Sequence, residues 1–174
     1  MTYHLRQARV REAEELLAIV REAFADHRGV IDPPSSAERK TAQVMRAEMR
    51  TGVTFVVEFD APLQAAATDQ HASRELVACV LAHTDGDALH WQRLSVRHQH
   101  RGRGLASRLM DAVEQHALAL GHNKTTLEVR VALQHQRAIY AARGYVEYGH
   151  GTHAGFSEPT YLLMEKNLTL GHSA

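Results

Sequence analysis

The sequence predicts an α/β fold built on a mixed sheet, and three observations predict it. Short apolar or alternating runs recur between segments of helical periodicity, in the order βααβββαβαββ. Residues 94–110 pass from an apolar run through Gly102 and Gly104 into an amphipathic helix. Residues 127–145 repeat the pattern, with Leu127-Glu-Val-Arg130 leading to a helix that ends at Gly144. Strand and helix in alternation place helices against a sheet. The chain shows no internal repeat and no composition break, so residues 1–174 are expected to form a single domain.

Each element has a local reason. Residues 3–8 read as a strand, with Tyr3, Leu5 and Gln7 alternating against His4 and Arg6. Residues 12–24 read as a helix whose face carries Leu16, Leu17, Val20 and Phe24. Gly29 and Pro33-Pro34 mark residues 26–34 as a loop. Ser35 with Glu38 has the form of a capping box, which predicts a second helix to about Arg50. Residues 53–59 and 75–83 read as strands, and the Ala-rich segment 60–74 between them as a surface hairpin insertion. Thr84-Asp-Gly-Asp87 is a tight turn into a strand over 88–96. In the next helix Leu105, Leu109, Val113 and Ala117 recur every four residues, Met110 and Leu120 widen the stripe, and Gly121 stops it. A strand over 125–131, a helix over 134–143, and strands over 145–148 and 160–167 complete the order, with 172–174 as a frayed end.

Composition excludes several functions. The formal charge is zero with histidine neutral, so no global field draws nucleic acid. No apolar run reaches the ~18 residues of a membrane span, and the N-terminus has no signal-peptide core. The single cysteine, Cys79, lies in an apolar run and reads as a packing residue, which fits a reducing, cytoplasmic setting. The 13 histidines include no His-Glu-x-x-His, and His98/His100 and His150/His153 lack a third ligand, so no metal site is expected.

The run around residue 100 carries the chemistry. Gln99, Gly102 and Gly104 make the spacing Q-x-x-G-x-G, with Ala106 two residues on. A strand that enters a helix through glycines leaves backbone N–H groups without intrahelical partners. Those donors and the helix dipole suit a phosphate, and Arg101 and Arg103 add positive charge. Ser107 stands where a dinucleotide-binding loop needs its third glycine, and the Gly-Lys-Ser/Thr of a Walker loop is absent. The competing reading is an arginine-rich surface turn before an ordinary helix.

Q-x-x-G-x-G-x-A between strand and helix resembles motif A of the GCN5-related N-acetyltransferase (GNAT) superfamily. The helix 136–145, Gln-Arg-Ala-Ile-Tyr-Ala-Ala-Arg-Gly-Tyr, resembles the family's Tyr-x-x-x-Gly-Phe/Tyr block, in the right order. The resemblance covers about residues 76 to 149. It implies the GNAT fold with a splayed central sheet. It also implies acetyl-CoA as co-substrate and transfer of an acetyl group to a primary amine of a small molecule or protein. The expected partners are acetyl-CoA and an amine, without nucleic acid or membrane, and with homodimer formation left open. A non-catalytic acyl-CoA-binding module is the alternative.

Site residues follow from the same resemblance. The pyrophosphate would lie on Arg101, Gly102, Arg103, Gly104, Leu105 and Ala106. The cofactor arm and the oxyanion would meet the backbone of a bulged strand at about Leu94, Ser95 and Val96. Tyr140 occupies the position of the family's tyrosine and would protonate the departing thiolate; packing on the core is its other reading. Glu128 lies twelve residues before Tyr140, the separation in relatives that acetylate ribosomal-protein N-termini. In those relatives the glutamate acts as the base through a water. A Glu128–Arg130 or cross-strand salt bridge is the competing reading, and His83 and His90 are alternative bases. The Asn usual seven residues before the tyrosine is Leu133 here, which puts one cofactor contact in doubt. The acceptor end would be built by the loops 26–36 and 150–159.

Overall fold

Seven strands form one mixed sheet in the order β1-β2-β3-β4-β5-β7-β6 in a computed structural model that describes residues 2–60 and 74–169. The strands are β1 (Tyr3–Gln7), β2 (Val53–Asp60), β3 (Arg74–Asp85), β4 (Ala88–Val96), β5 (Lys124–Arg130), β6 (Val146–Gly151) and β7 (Tyr161–Asn167). The helices are α1 (Ala13–Ala25), α2 (Ala42–Thr51), α3 (Leu105–Ala119) and α4 (Gln134–Ala142). Their order along the chain is the predicted βααβββαβαββ. The expected hairpin insertion and the frayed end lie largely or wholly outside the described residues. No described helix is long and apolar enough to cross a membrane.

The sheet is covered on both faces, which explains the nearly continuous apolar runs of β2 and β3. On one face Leu16, Ile19 and Val20 of α1 and Met45 of α2 pack on Val56, Leu76, Cys79 and Leu81. On the other, Leu105, Leu109, Val113 and Ala117 of α3 pack on Phe55, Val57, Val80 and Trp91. Cys79 is fully buried, and desolvation pushes its thiol up to about 12, which suits a packing role.

Two expected boundaries are corrected. Ser35 Oγ accepts the Ala37 N–H at 3.2 Å, but the turn it caps ends at Glu38. The second helix restarts at Ala42, with Thr41 Oγ1 accepting from Val44 N–H. The interruption has a cause. Arg21 takes the Lys40 carbonyl at 2.8 Å, and the buried Lys40 ammonium pairs with Glu48. Tyr145 is not the first residue of β6. Its N–H bonds the Tyr140 carbonyl at 3.0 Å, while Gly144 N–H bonds Ala141. This Schellman closure needs a left-handed residue, and Gly144 supplies it at φ +96°. The Tyr-x-x-x-Gly-Tyr spacing is therefore the geometry of a helix end.

Candidate active site

A break in strand pairing opens the site. β4 and β5 run parallel but pair only at Leu89–Thr125 and His90–Thr126. β5 pairs with β7 along its whole length on its other edge, but beyond His90 the β5-facing edge of β4 has no strand partner. The β3–β4 register shifts between Cys79 and Leu81, where β4 carries an extra residue. That bulge centres on Arg93, the one described non-glycine residue at positive φ (+59°). A side chain in this region costs energy and persists only where its surroundings fix it. Here the Arg93 guanidinium lies 5.6 Å from the centre of the Phe24 ring and donates to Ser36 Oγ at 2.6 Å. The expected bulge is thus present, and it lies one residue before the expected Leu94–Ser95–Val96 stretch.

The splay continues into a cleft of about 650 Å³. Leu94 and Val96 line it, as do Ala106, Leu133, Glu128 and Tyr140. Ser95 points into the body of the protein, with its hydroxyl donating to the Arg93 carbonyl at 3.0 Å.

At one end of the cleft the glycine turn enters α3. Gly102 and Gly104 have φ of +70° and +75°, and a Cβ on either would project into open space. The first bond of α3 is Arg108 N–H to the Gly104 carbonyl. The cap residue Gly104 has no side chain to accept the N–H groups of Leu105, Ala106 and Ser107. A row of free donors facing unfilled space fits a pyrophosphate. Arg101 contributes less than its charge suggests. Its N–H bonds the His98 carbonyl at 3.3 Å, and its guanidinium pairs with Asp26 at 2.7 Å. Arg103 forms no ion pair among the described residues and stays exposed.

Tyr140 stands between packing and chemistry. Its ring meets Trp91 edge-on at 5.4 Å and lies 6.3 Å from Tyr145. Burial, with Tyr145 next, raises its phenol to about 12, so it stays protonated at neutral pH. Tyr145 is locked behind it, taking the Trp91 indole N–H at 2.9 Å and sharing a bond with Thr125 Oγ1 at 2.8 Å. Two aromatic walls therefore fix the Tyr140 ring while one side remains on the cleft.

Glu128 lies exposed on the cleft lining and makes no ion pair among the described residues. Arg130, its alternative partner, donates instead to the Pro33 carbonyl at 2.6 Å and approaches His153 Nε2 at 3.0 Å. His90 also lines the cleft, hydrogen-bonded to Thr126 Oγ1 at 3.1 Å, and burial lowers its pKa. His83 packs on His90 at 5.2 Å but does not line the cleft. Leu133 does, directly before α4.

Residues 17–145 match the acetyltransferase (GNAT) family model. The chain belongs to the GNAT family. Family membership makes acetyl-CoA the co-substrate. Solved structures share the GNAT fold at low identity. The PaiA N-acetyltransferase of Thermoplasma acidophilum, in complex with coenzyme A, superposes with a TM-score of 0.76 at 14% identity, covering 96% of this chain and 99% of that one. The ribosomal-protein-S18-alanine N-acetyltransferase of Escherichia coli gives 0.69 at 12%, covering 99% of both. A GCN5-related N-acetyltransferase of Rhodopseudomonas palustris gives 0.70 at 21%, covering 97% of both. None of the curated proteins matches the sequence.

Several features of the cleft escape sequence reasoning. Trp91 and Tyr145, which orient Tyr140, are far apart in sequence and meet only through the sheet. Arg39, Arg93, Arg130 and His153 come to the cleft from four separate segments. The strand pattern of β4 carries no sign that Arg93 is left-handed.

Proposed function

We propose that the protein transfers the acetyl group of acetyl-CoA to a primary amine of a small molecule or a protein. One observation carries this reading: the gap between β4 and β5 leads from the free N–H groups of α3 to a cleft lined by both Tyr140 and Glu128.

The roles follow from the chemistry of the step. An alkylamine has a pKa near 10 and must lose a proton before attack. Glu128 removes it, directly or through a water. The amine nitrogen then attacks the thioester carbonyl carbon. Backbone N–H groups of the unpaired β4 edge stabilise the developing oxyanion. The C–S bond breaks as the Tyr140 hydroxyl gives its proton to the sulfur, and the second proton of the attacking nitrogen is lost to restore the tyrosine hydroxyl, leaving a neutral amide and free CoA thiol. A phenol held above the ordinary tyrosine value reaches that moment fully protonated.

The test is release of free CoA thiol from acetyl-CoA in the presence of a panel of amines, with the acetylated amine identified by mass. Amine-dependent thiol release is expected. Tight acetyl-CoA binding with no transfer to any amine would overturn the reading in favour of an acyl-CoA-binding module.

A further inference from the structure

The acceptor end of the cleft carries more positive charge than its own residues balance. Arg39, Arg93 and Arg130 line it, and none is within ion-pair distance of a carboxylate among the described residues. Asp26 at the rim is already held by Arg101 and His98. Glu128 is the one other carboxylate of the lining. The contrast with comparable groups is sharp. Arg6, Arg97 and Arg143 are partly buried, and each meets two carboxylates.

The two half-buried guanidinium groups are held in place by neutral partners. Arg93 is anchored by Ser36 Oγ and Phe24, and its Nε is buried without a hydrogen-bond partner. Arg130 is anchored by the Pro33 carbonyl and His153. Desolvation lowers the pKa of both. A partly desolvated cation with fixed orientation and spare N–H groups is a site for an anion, and the guanidinium fork matches a carboxylate. Beside them Val30 and Ile139 are exposed to 54% and 41% on the same lining.

We propose that the acceptor amine carries its own carboxylate, and that it is an amino acid with an apolar side chain. Its ammonium group faces Glu128, its carboxylate faces Arg93 and Arg130, and its side chain covers Val30 and Ile139. The proposal rests on the acetyl-transfer reading and adds the substrate class. It disfavours polyamines, whose charge matches that of the cleft.

The test compares matched amines. L-leucine, L-leucinamide and 3-methylbutylamine form one set; methionine and phenylalanine with their amides and decarboxylated amines form two more. Spermidine and O-phosphoethanolamine complete the panel. In at least one set kcat/KM for the amino acid should exceed that for its amide and its amine by tenfold or more. Arg93→Gln and Arg130→Gln should bring that ratio close to one, chiefly through KM, and Arg130→Lys should restore part of it. Arg39→Ala, at an exposed position where truncation should leave the fold intact, should also lower that ratio. Amides or amines used as well as the amino acids would overturn the proposal. So would a preference for spermidine or O-phosphoethanolamine, or a ratio unchanged in every arginine variant. If acetyl-CoA binds and no amine is acetylated, the transfer reading falls by itself. Titration of the CoA-loaded protein with N-acetyl-leucine and N-acetyl-3-methylbutylamine then decides the anion site, and equal binding would overturn it.

Discussion

At the scale of single residues, the proton roles proposed for Tyr140 and Glu128 each have their own signature. Tyr140→Phe keeps the ring on Trp91 and Tyr145 and removes one hydroxyl. Acetyl-CoA affinity by calorimetry should be nearly unchanged, while kcat falls by ~10²–10⁴-fold, the usual worth of a general acid. Undiminished turnover would leave Tyr140 as a packing residue. Glu128→Gln should lower kcat/KM by ~10²-fold and alter the acid limb of the pH–rate profile. Glu128 makes no ion pair among the described residues, so the melting temperature should hold. A stable variant with full activity would move the base to His90, the alternative histidine that lines the cleft. That both residues come to one cleft was legible, because their spacing puts one on β5 and the other on α4. The company they keep was not. Arg93 and Arg130 converge through sheet pairing and the loop at Pro33, and no local pattern encodes that meeting.

At the scale of elements, glycine turns set where helices begin and end. Gly104→Val would put a β-branched residue at φ +75°, and its side chain would occupy the open space before α3. Acetyl-CoA binding should weaken by at least tenfold, about 1.4 kcal/mol, when titrated into the folded variant. Unchanged affinity would remove the glycine turn from the site. Both helix ends at Gly121 and Gly144 could be read from sequence, because a Schellman closure is local and glycine marks it. The start of α2 could not. Ser35 and Glu38 satisfy the pattern of a capping box, but Arg21, from α1, claims the Lys40 carbonyl and forces a second start at Thr41. A contact across 19 positions of chain overrides a four-residue signal.

At the scale of the whole molecule, stability is coupled to pH through histidines held in the fold. Burial lowers the pKa of His27 and His90 below the ordinary 6.5. Between the folded and unfolded values the unfolded chain binds more protons, so stability rises with pH there. Cooling of the melting transition is expected as pH falls from 7 to 5.5, with a shallower slope in His90→Gln; identical slopes would exclude His90 as a source. The order of elements was readable throughout because periodicity survives in each segment, whereas the splay came only with the family resemblance, since it is a property of two strands at once. That splay has a mechanical consequence. The strands β1 to β4 and the strands β5 to β7 are two halves of one sheet stitched by two residue pairs. A bound pantetheine arm would act as the missing strand across the seam, and ligand binding would be a late step of assembly. Amide hydrogen exchange can watch this directly: backbone amides of β4 past Trp91 should slow when acetyl-CoA is added, while those of the β2–β3 pairing stay as they were. In the free protein the same measurement should show the seam opening before the β2–β3 pairing, and equal exchange at both would exclude it.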